Sequence, residues 1–260
     1  MFADLKAAWA AASDDNIGIL AAGIAHYALL ALVPALGALV LAYGLFVDGE
    51  TVAAHIALLA QSLPASAAGL IGDQLRSVSD GPANTQGLGL VLSLAIAVFG
   101  ARSGARSLMT GLDLAFNLPE SRGFIGGNLV ALAITFAGVA GLVVAGIGAA
   151  SLGQLGGSAG NIASLVFLAV LASGAAALLY RYAPSERAAG WSAIWPGAIG
   201  FTVLWLGATA AFGFYAANFG SYNATYGALG AVLALITWFW VSGYALLLGA
   251  ELVEVRQRSR

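Results

Sequence analysis

Six long apolar stretches alternate with short polar segments along this chain. They run roughly from Ile17 to Val47, Leu88 to about Leu108, Phe124 to Ser151, Ile162 to Leu179, Ile194 to Ala217 and Tyr226 to Val255. Because a helix needs about 20 apolar residues to cross a bilayer, each stretch is long enough, or nearly so, to be one span. The pattern predicts an all-α fold, an integral membrane six-helix transmembrane bundle in which residues 1–260 form a single transmembrane domain.

The longest polar connection, residues 48–86, contains two weaker apolar patterns. Apolar residues recur at helical spacing on either side of Pro64, which favours a short helical hairpin on the outer surface. Another proline, Pro34, lies inside the first span, where the missing backbone donor predicts a kink.

Charge gives the orientation of these spans. The chain is 60% hydrophobic and only 8% charged, which indicates a membrane protein rather than a soluble domain. Threading the spans in order places nine of the ten basic residues on one face and only Arg76 on the other. Since basic loops stay in the cytoplasm, both termini are predicted to be cytoplasmic. The nine are Lys6, Arg102, Arg106, Arg122, Arg181, Arg187, Arg256, Arg258 and Arg260.

The composition also argues against several functions. The basic residues are scattered over short loops, unlike a nucleic-acid-binding surface. Its two histidines lie in different segments, and no carboxylate cluster, HExxH motif or glycine-rich phosphate loop accompanies them. We therefore expect no catalytic residue, no metal, no cofactor and no nucleic-acid partner.

A polar stripe interrupts the second span. Arg102 follows Leu88 by 14 residues, or about 20 Å of helix, less than the roughly 30 Å hydrocarbon core. An arginine at the bilayer centre costs roughly 2.5–3.5 kcal/mol on insertion scales, so it needs a partner or a polar cavity. Helical spacing aligns it with Arg106, Asp113 and Asn117. Either this face binds an anionic lipid headgroup, or the helix bends at a glycine and its arginines lie on the membrane surface.

Two further ionisable residues are candidates for substrate binding or gating. Glu251 ends the sixth span and can pair with Arg102 or Arg106, or else it is an interfacial carboxylate. His26 falls near the middle of the membrane, where it either relays protons or is a neutral, hydrogen-bonded packing residue.

Uncharged residues supply the remaining candidates. Tyr222, Asn223 and Tyr226 precede the last span and either line an outer vestibule or form part of an aromatic belt. Gly141 belongs to a stripe of small residues spaced four apart on the third span, which predicts close helix packing.

Several segments resemble the YihY/BrkB family of bacterial inner-membrane proteins. The sequence FGSYNATYGALGAVLALITWFWVSGYALLLGAEL resembles the closing signature of that family, including a Tyr-Gly pair whose glycine is Gly227. The segments AHYALLALVP, SRGF, YRYAP and WPGA add support in the right order. His26 departs from the family, which has an aromatic residue there, and the long polar tails of many members are lacking.

The resemblance implies a six-spanning protein of the bacterial inner (plasma) membrane. Members have been labelled ribonuclease BN or linked to serum resistance as a virulence factor, and transport of lipids or ions has been suggested. We expect a protein that transports or handles an anionic lipid or other amphiphile, with membrane lipids as partners, and not a nuclease. The alternatives are an ion or proton-coupled exchanger and a non-transporting scaffold built as a homo-oligomer.

Overall fold

The computed structural model describes residues 2–46, 83–119, 122–186, 189–218 and 228–259, and seven helices account for most of them. The helices are α1 (Phe2–Asp14), α2 (Ile17–Phe46), α3 (Ala83–Ala115), α4 (Phe124–Gly153), α5 (Gly157–Tyr182), α6 (Trp191–Asn218) and α7 (Ala228–Arg258). No strand occurs in these ranges, which confirms the all-α prediction for the described part of the chain.

The six apolar stretches correspond to α2 through α7. Most helices extend a few residues beyond their apolar stretch, because polar residues at a membrane interface continue the helix without adding to the apolar run. The extension is largest for α3, which reaches from Ala83 to Ala115. Four helices, α4 to α7, are long and apolar enough to cross a membrane, and a bent pair made by α1 and α2 is a fifth candidate. The predicted count of six spans stays a prediction.

The break between α1 and α2 is sharp. The two helices meet at an angle of 70°. Asn16, in the turn between them, has a φ of 52°, a left-handed conformation that ends a helix and that asparagine tolerates better than most residues. Its side-chain amide donates to the carbonyl oxygen of Asp14 at 3.1 Å.

The two ends of the chain lie together. The guanidinium of Arg256 near the end of α7 donates to the Asp4 carboxylate of α1 at 3.1 Å. The contact joins the first and the last described helix, while the number of membrane crossings and the face on which the termini lie stay predictions.

The chain divides into two compact units. The first comprises residues 1–26, 102–217 and 237–260, and the second comprises residues 27–101 and 218–236. In the second unit, α2 and α3 approach closely at Gly100, where an added Cβ would lie 3.0 Å from the backbone of Ala31.

The core of the first unit is built mainly from buried residues of α3, α5, α6 and α7. The side chain of Tyr180 is fully buried, and its hydroxyl donates to the carbonyl oxygen of Leu246 at 2.7 Å. Beside it, a Cβ on Gly249 would overlap the Tyr180 hydroxyl, and a Cβ on Gly197 would overlap Val253. Glycine at both positions therefore allows the helices to pack backbone against backbone.

α4 and α5 form a hairpin with an extensively exposed apolar surface, as expected of helices that face lipid. Ser164 of α5 donates to the carbonyl oxygen of Ala149 in α4 at 2.9 Å. Ala149 belongs to the small-residue stripe, whereas no described atom outside its own helix neighbourhood lies within 4 Å of a Cβ added at Gly141. The role predicted for Gly141 is therefore untested, and a second helix against it stays a prediction.

Several predicted features lie outside the described residues. They are most of the 48–86 connection with its helical hairpin, the side chain of Pro34, and Tyr222, Asn223, Tyr226 and Gly227.

Candidate functional site

Two arginines of the polar stripe converge on a single residue of the neighbouring helix. Nε of Arg102 donates to Oδ1 of Asn128 at 3.1 Å, and its Nη2 donates to the same oxygen. Nη1 of Arg106 donates to that oxygen as well, at 3.3 Å. The two arginines are one helical turn apart on α3, and Asn128 lies early in α4, so adjacent helices build the cluster.

The electrostatics of this cluster are unbalanced. Asn128 is a neutral amide, and no carboxylate is bonded to either guanidinium among the residues that the structure describes. Each guanidinium has five N–H donors, so most donors of the pair remain after Asn128 is satisfied. Both arginines are only partly exposed, and solvent screening is therefore reduced. Two adjacent, half-buried positive charges favour a bound anion.

Sequence reasoning missed Asn128. A signal existed, because it is the one strongly polar residue in the first two turns of the apolar stretch that begins at Phe124. A lone polar side chain inside a membrane span usually pairs with another polar group. The stripe of small residues on the same helix predicted close helix packing and gave no indication of a polar site.

Asp113 occupies a different environment from the arginines. It is buried, and its two carboxylate oxygens accept from the backbone N–H and from the hydroxyl of Ser185, both at 2.5 Å. These charge-assisted bonds fix the start of the connection that follows α5. In the described structure its carboxylate holds this loop and is not part of the arginine cluster.

Asn117, the last member of the predicted stripe, ends α3. Its φ is 52°, and its N–H donates to the carbonyl oxygen of Leu114 at 2.9 Å. The N–H of Leu118 donates to the carbonyl oxygen of Asp113 at 2.8 Å. This pair of bonds is a Schellman motif, in which a left-handed residue satisfies the last carbonyls of a helix. The four residues of the stripe therefore have two different roles. Arg102 and Arg106 contact Asn128, whereas Asp113 and Asn117 stabilise the loop after α5 and the end of α3.

Two other arginines hold the same loop. Arg122 donates to three successive carbonyl oxygens at the end of α5, those of Tyr182 at 3.1 Å, Ala183 at 3.0 Å and Pro184 at 2.5 Å. Arg181 donates to the carbonyl oxygen of Ala189 and lies 5.9 Å from the centre of the Trp191 ring. A cation at a helix C-terminus is also favoured by the helix dipole. Charge pattern alone identified these residues only as topology markers.

Glu251 is not brought to the arginine pair. It is 1% exposed near the end of α7, and the side chains that act on it are those of Asp15, Glu254 and Arg258. His26 lies exposed on α2 and takes part in at least one polar or ring contact. The roles predicted for these two residues stay predictions.

The described residues include no group of three or more histidine, cysteine or acidic side chains that could hold a metal ion. That observation covers only those ranges, so the expectation that the chain has no metal and is not a nuclease stays a prediction.

Comparison with known proteins gives two matches. The profile of a family described as "Virulence factor BrkB" matches residues 8–260. The ribonuclease-like protein YfkH of Bacillus subtilis (strain 168) is 30% identical over 211 residues, covering 76% of this chain and 75% of that protein. No solved structure matches the chain.

Proposed function

The chain belongs to the BrkB family, and on that premise we propose that it is a bacterial inner-membrane protein that transports or handles an anionic lipid or another anionic amphiphile. The observation that carries the proposal is the pair Arg102 and Arg106, which share the neutral Asn128. The headgroup binds at this pair, and the acyl chains remain in the bilayer.

The chemistry of the pair selects the substrate class. A guanidinium binds a phosphate or carboxylate through two parallel N–H···O bonds, and two guanidiniums one turn apart can hold a single phosphate from two sides. Basic pockets between transmembrane helices bind anionic headgroups in this way. A soluble anion has the same headgroup chemistry, but the apolar, exposed surface of α4 beside Asn128 favours a ligand with hydrocarbon chains. Exposed apolar residues on this helix include Phe124, Ile125 and Leu129.

The neutral partner matters for this proposal. Had the third residue been a carboxylate, it would have cancelled one of the two positive charges and made a structural ion pair. A shared amide oxygen orients both guanidiniums without cancelling their charge. The cluster therefore suits a ligand that arrives with its own negative charge and leaves again.

The direct test measures lipid binding to the purified protein by native mass spectrometry, using phosphatidylglycerol as the anionic probe and phosphatidylcholine as the zwitterionic one. Replacing both arginines, Arg102→Gln with Arg106→Gln, is expected to weaken phosphatidylglycerol binding about tenfold or more. Each lost charge-assisted bond is worth roughly 1.5–3 kcal/mol, and 1.4 kcal/mol is a tenfold change. Phosphatidylcholine binding should stay the same.

Arg258→Gln is the matched control, because Arg258 is exposed and already paired with Glu254 at 2.6 Å. This variant loses the same kind of side chain without touching the cluster. Equal phosphatidylglycerol binding by wild type and the double variant would contradict the proposal. A lipid-flux assay in liposomes then separates transport from static binding, and a scaffold would move nothing in that assay.

A further inference from the structure

A buried carboxyl group lies at the end of α7, away from the arginine cluster. The Glu251 side chain is 1% exposed, and its Oε1 is the one deeply buried side-chain oxygen or nitrogen without a hydrogen-bond partner among the residues the structure describes. An ionised carboxylate in that condition is very costly, because neither water nor a donor compensates its charge. The group needs a cation or a proton.

The groups that face Glu251 do not supply the missing cation. From the turn between α1 and α2, the side chain that acts on it is the Asp15 carboxyl. From its own helix the charged neighbours are Glu254, one turn further on, and Arg258. Two carboxyl groups thus approach a third, and only one guanidinium is near.

The nearby guanidiniums are already engaged. Arg258 is bonded to Glu254 at 2.6 Å, and Arg256 is bonded to Asp4 at 3.1 Å. Each arginine therefore neutralises one carboxylate of this region. Neither arginine is therefore bonded to Asp15 or Glu251.

We infer that Glu251, beside the Asp15 carboxyl, is a proton-binding site, and that its enclosed carboxyl group holds the proton. Two adjacent carboxylates cannot both ionise without strong repulsion, and one retained proton changes that repulsion into attraction. The proton also removes the negative charge from the buried carboxyl oxygens of Glu251. Asp15 is partly exposed, so the site has a route to water, whereas Glu251 is enclosed.

The position of the site gives it a consequence for the fold. Asp15 and Asn16 form the turn at which α1 and α2 meet at 70°, and Ile17 just after it is fully buried. While the proton is bound, the pair holds this turn against α7. When the proton leaves, two negative charges face each other and push the turn away from the helix. This inference does not depend on the lipid proposal.

Infrared difference spectroscopy on the wild-type protein in lipid tests the site directly. A protonated carboxylic acid has a carbonyl stretching band that a carboxylate lacks, and the band shifts in deuterated water. We expect this band at neutral pH and its loss at alkaline pH. Glu251→Gln should abolish it, whereas Asp15→Asn should retain it, because Glu251 stays enclosed in that variant.

Glu186→Gln is the control, since Glu186 is an exposed acid elsewhere on the chain, and its band at neutral pH should equal that of wild type. Absence of a protonated carboxyl band from the wild type at neutral pH would overturn the inference without any variant. A band that persists in Glu251→Gln would overturn it too. If added sodium or calcium ions removed the band in wild type, the site would be a cation site instead and the proton assignment would be wrong.

Discussion

The glycine contact between α6 and α7 gives a prediction with its own internal control. A Cβ added at Gly197 would overlap Cγ2 of Val253, a fully buried side chain, and the backbone carbonyl oxygen of Gly249. The carbonyl cannot rotate away without moving α7, so Gly197→Ala must push the helices apart. Overpacking of this kind costs about 1–3 kcal/mol.

Gly207→Ala on the same helix is the matched control. A Cβ there meets no described heavy atom within 4 Å. Both substitutions gain the same helix propensity, about 1 kcal/mol, so the difference between them isolates the packing cost. At about 2–4 °C per kcal/mol, Gly197→Ala should melt about 2–12 °C below Gly207→Ala.

The assay is thermal unfolding in detergent, followed by tryptophan fluorescence. Gly249→Ala should behave like Gly197→Ala, because its Cβ would lie 2.9 Å from the carbonyl oxygen of Gly197 and would displace the Tyr180 hydroxyl. Equal melting temperatures for the Gly197 and Gly207 variants would refute the close packing of α6 against α7.

Three further predictions concern the end of α3 and the loop after α5. Asn117→Gly should leave the melting temperature and phosphatidylglycerol binding unchanged, whereas Asn117→Ala should cost roughly 1–2 kcal/mol of stability from the left-handed backbone and still bind lipid. If Asn117→Gly lost lipid binding, a substrate role would replace the helix-ending one. Asp113→Asn should destabilise the protein by about 1.5–3 kcal/mol and Ser185→Ala by about 1, as measured by chemical unfolding. Equal stability of Asp113→Asn and wild type would contradict the loop-holding role. Arg122→Gln should expose the loop to limited proteolysis, and Arg122→Lys should restore little protection because an ammonium cannot span three carbonyl oxygens.

The sequence predicted the helices well because a membrane imposes one strong rule. Backbone groups in hydrocarbon must be bonded within their own segment, so a long apolar run is a helix with few exceptions. The apolar stretch from Ile17 to Val47 accordingly matches α2, Ile17–Phe46, within one residue. Polar residues that continue a helix do not belong to such a run, so the ends of α3 were underestimated.

The polar contacts could not be predicted to the same degree. Spacing along α3 shows which side chains share a face, but it carries no information about the helix opposite. Asp113 and Arg102 share a stripe in sequence, yet one bonds Ser185 and the other bonds Asn128. Their partners lie 72 and 26 residues away in the chain, and only tertiary packing selects them.

The loop after α5 illustrates the same limit. The segments SRGF and YRYAP carried the family resemblance, and nothing in either segment indicates that they meet. In the structure Arg122 of the first donates to the carbonyl oxygens of Tyr182, Ala183 and Pro184 in the second. A structural contact explains these residues without any role in binding.

Arg102 and Arg106 are proposed to bind an anion because Asn128, which they share, is neutral. Phosphatidylglycerol binding to Asn128→Asp, compared with Asn128→Ala by native mass spectrometry, tests that claim most directly. The aspartate places a carboxylate against both guanidiniums and cancels one of their two positive charges, while the alanine leaves both charges in place. We expect Asn128→Asp to bind phosphatidylglycerol more weakly than wild type with both arginines intact, and Asn128→Ala to retain binding. Undiminished binding in Asn128→Asp would contradict the account.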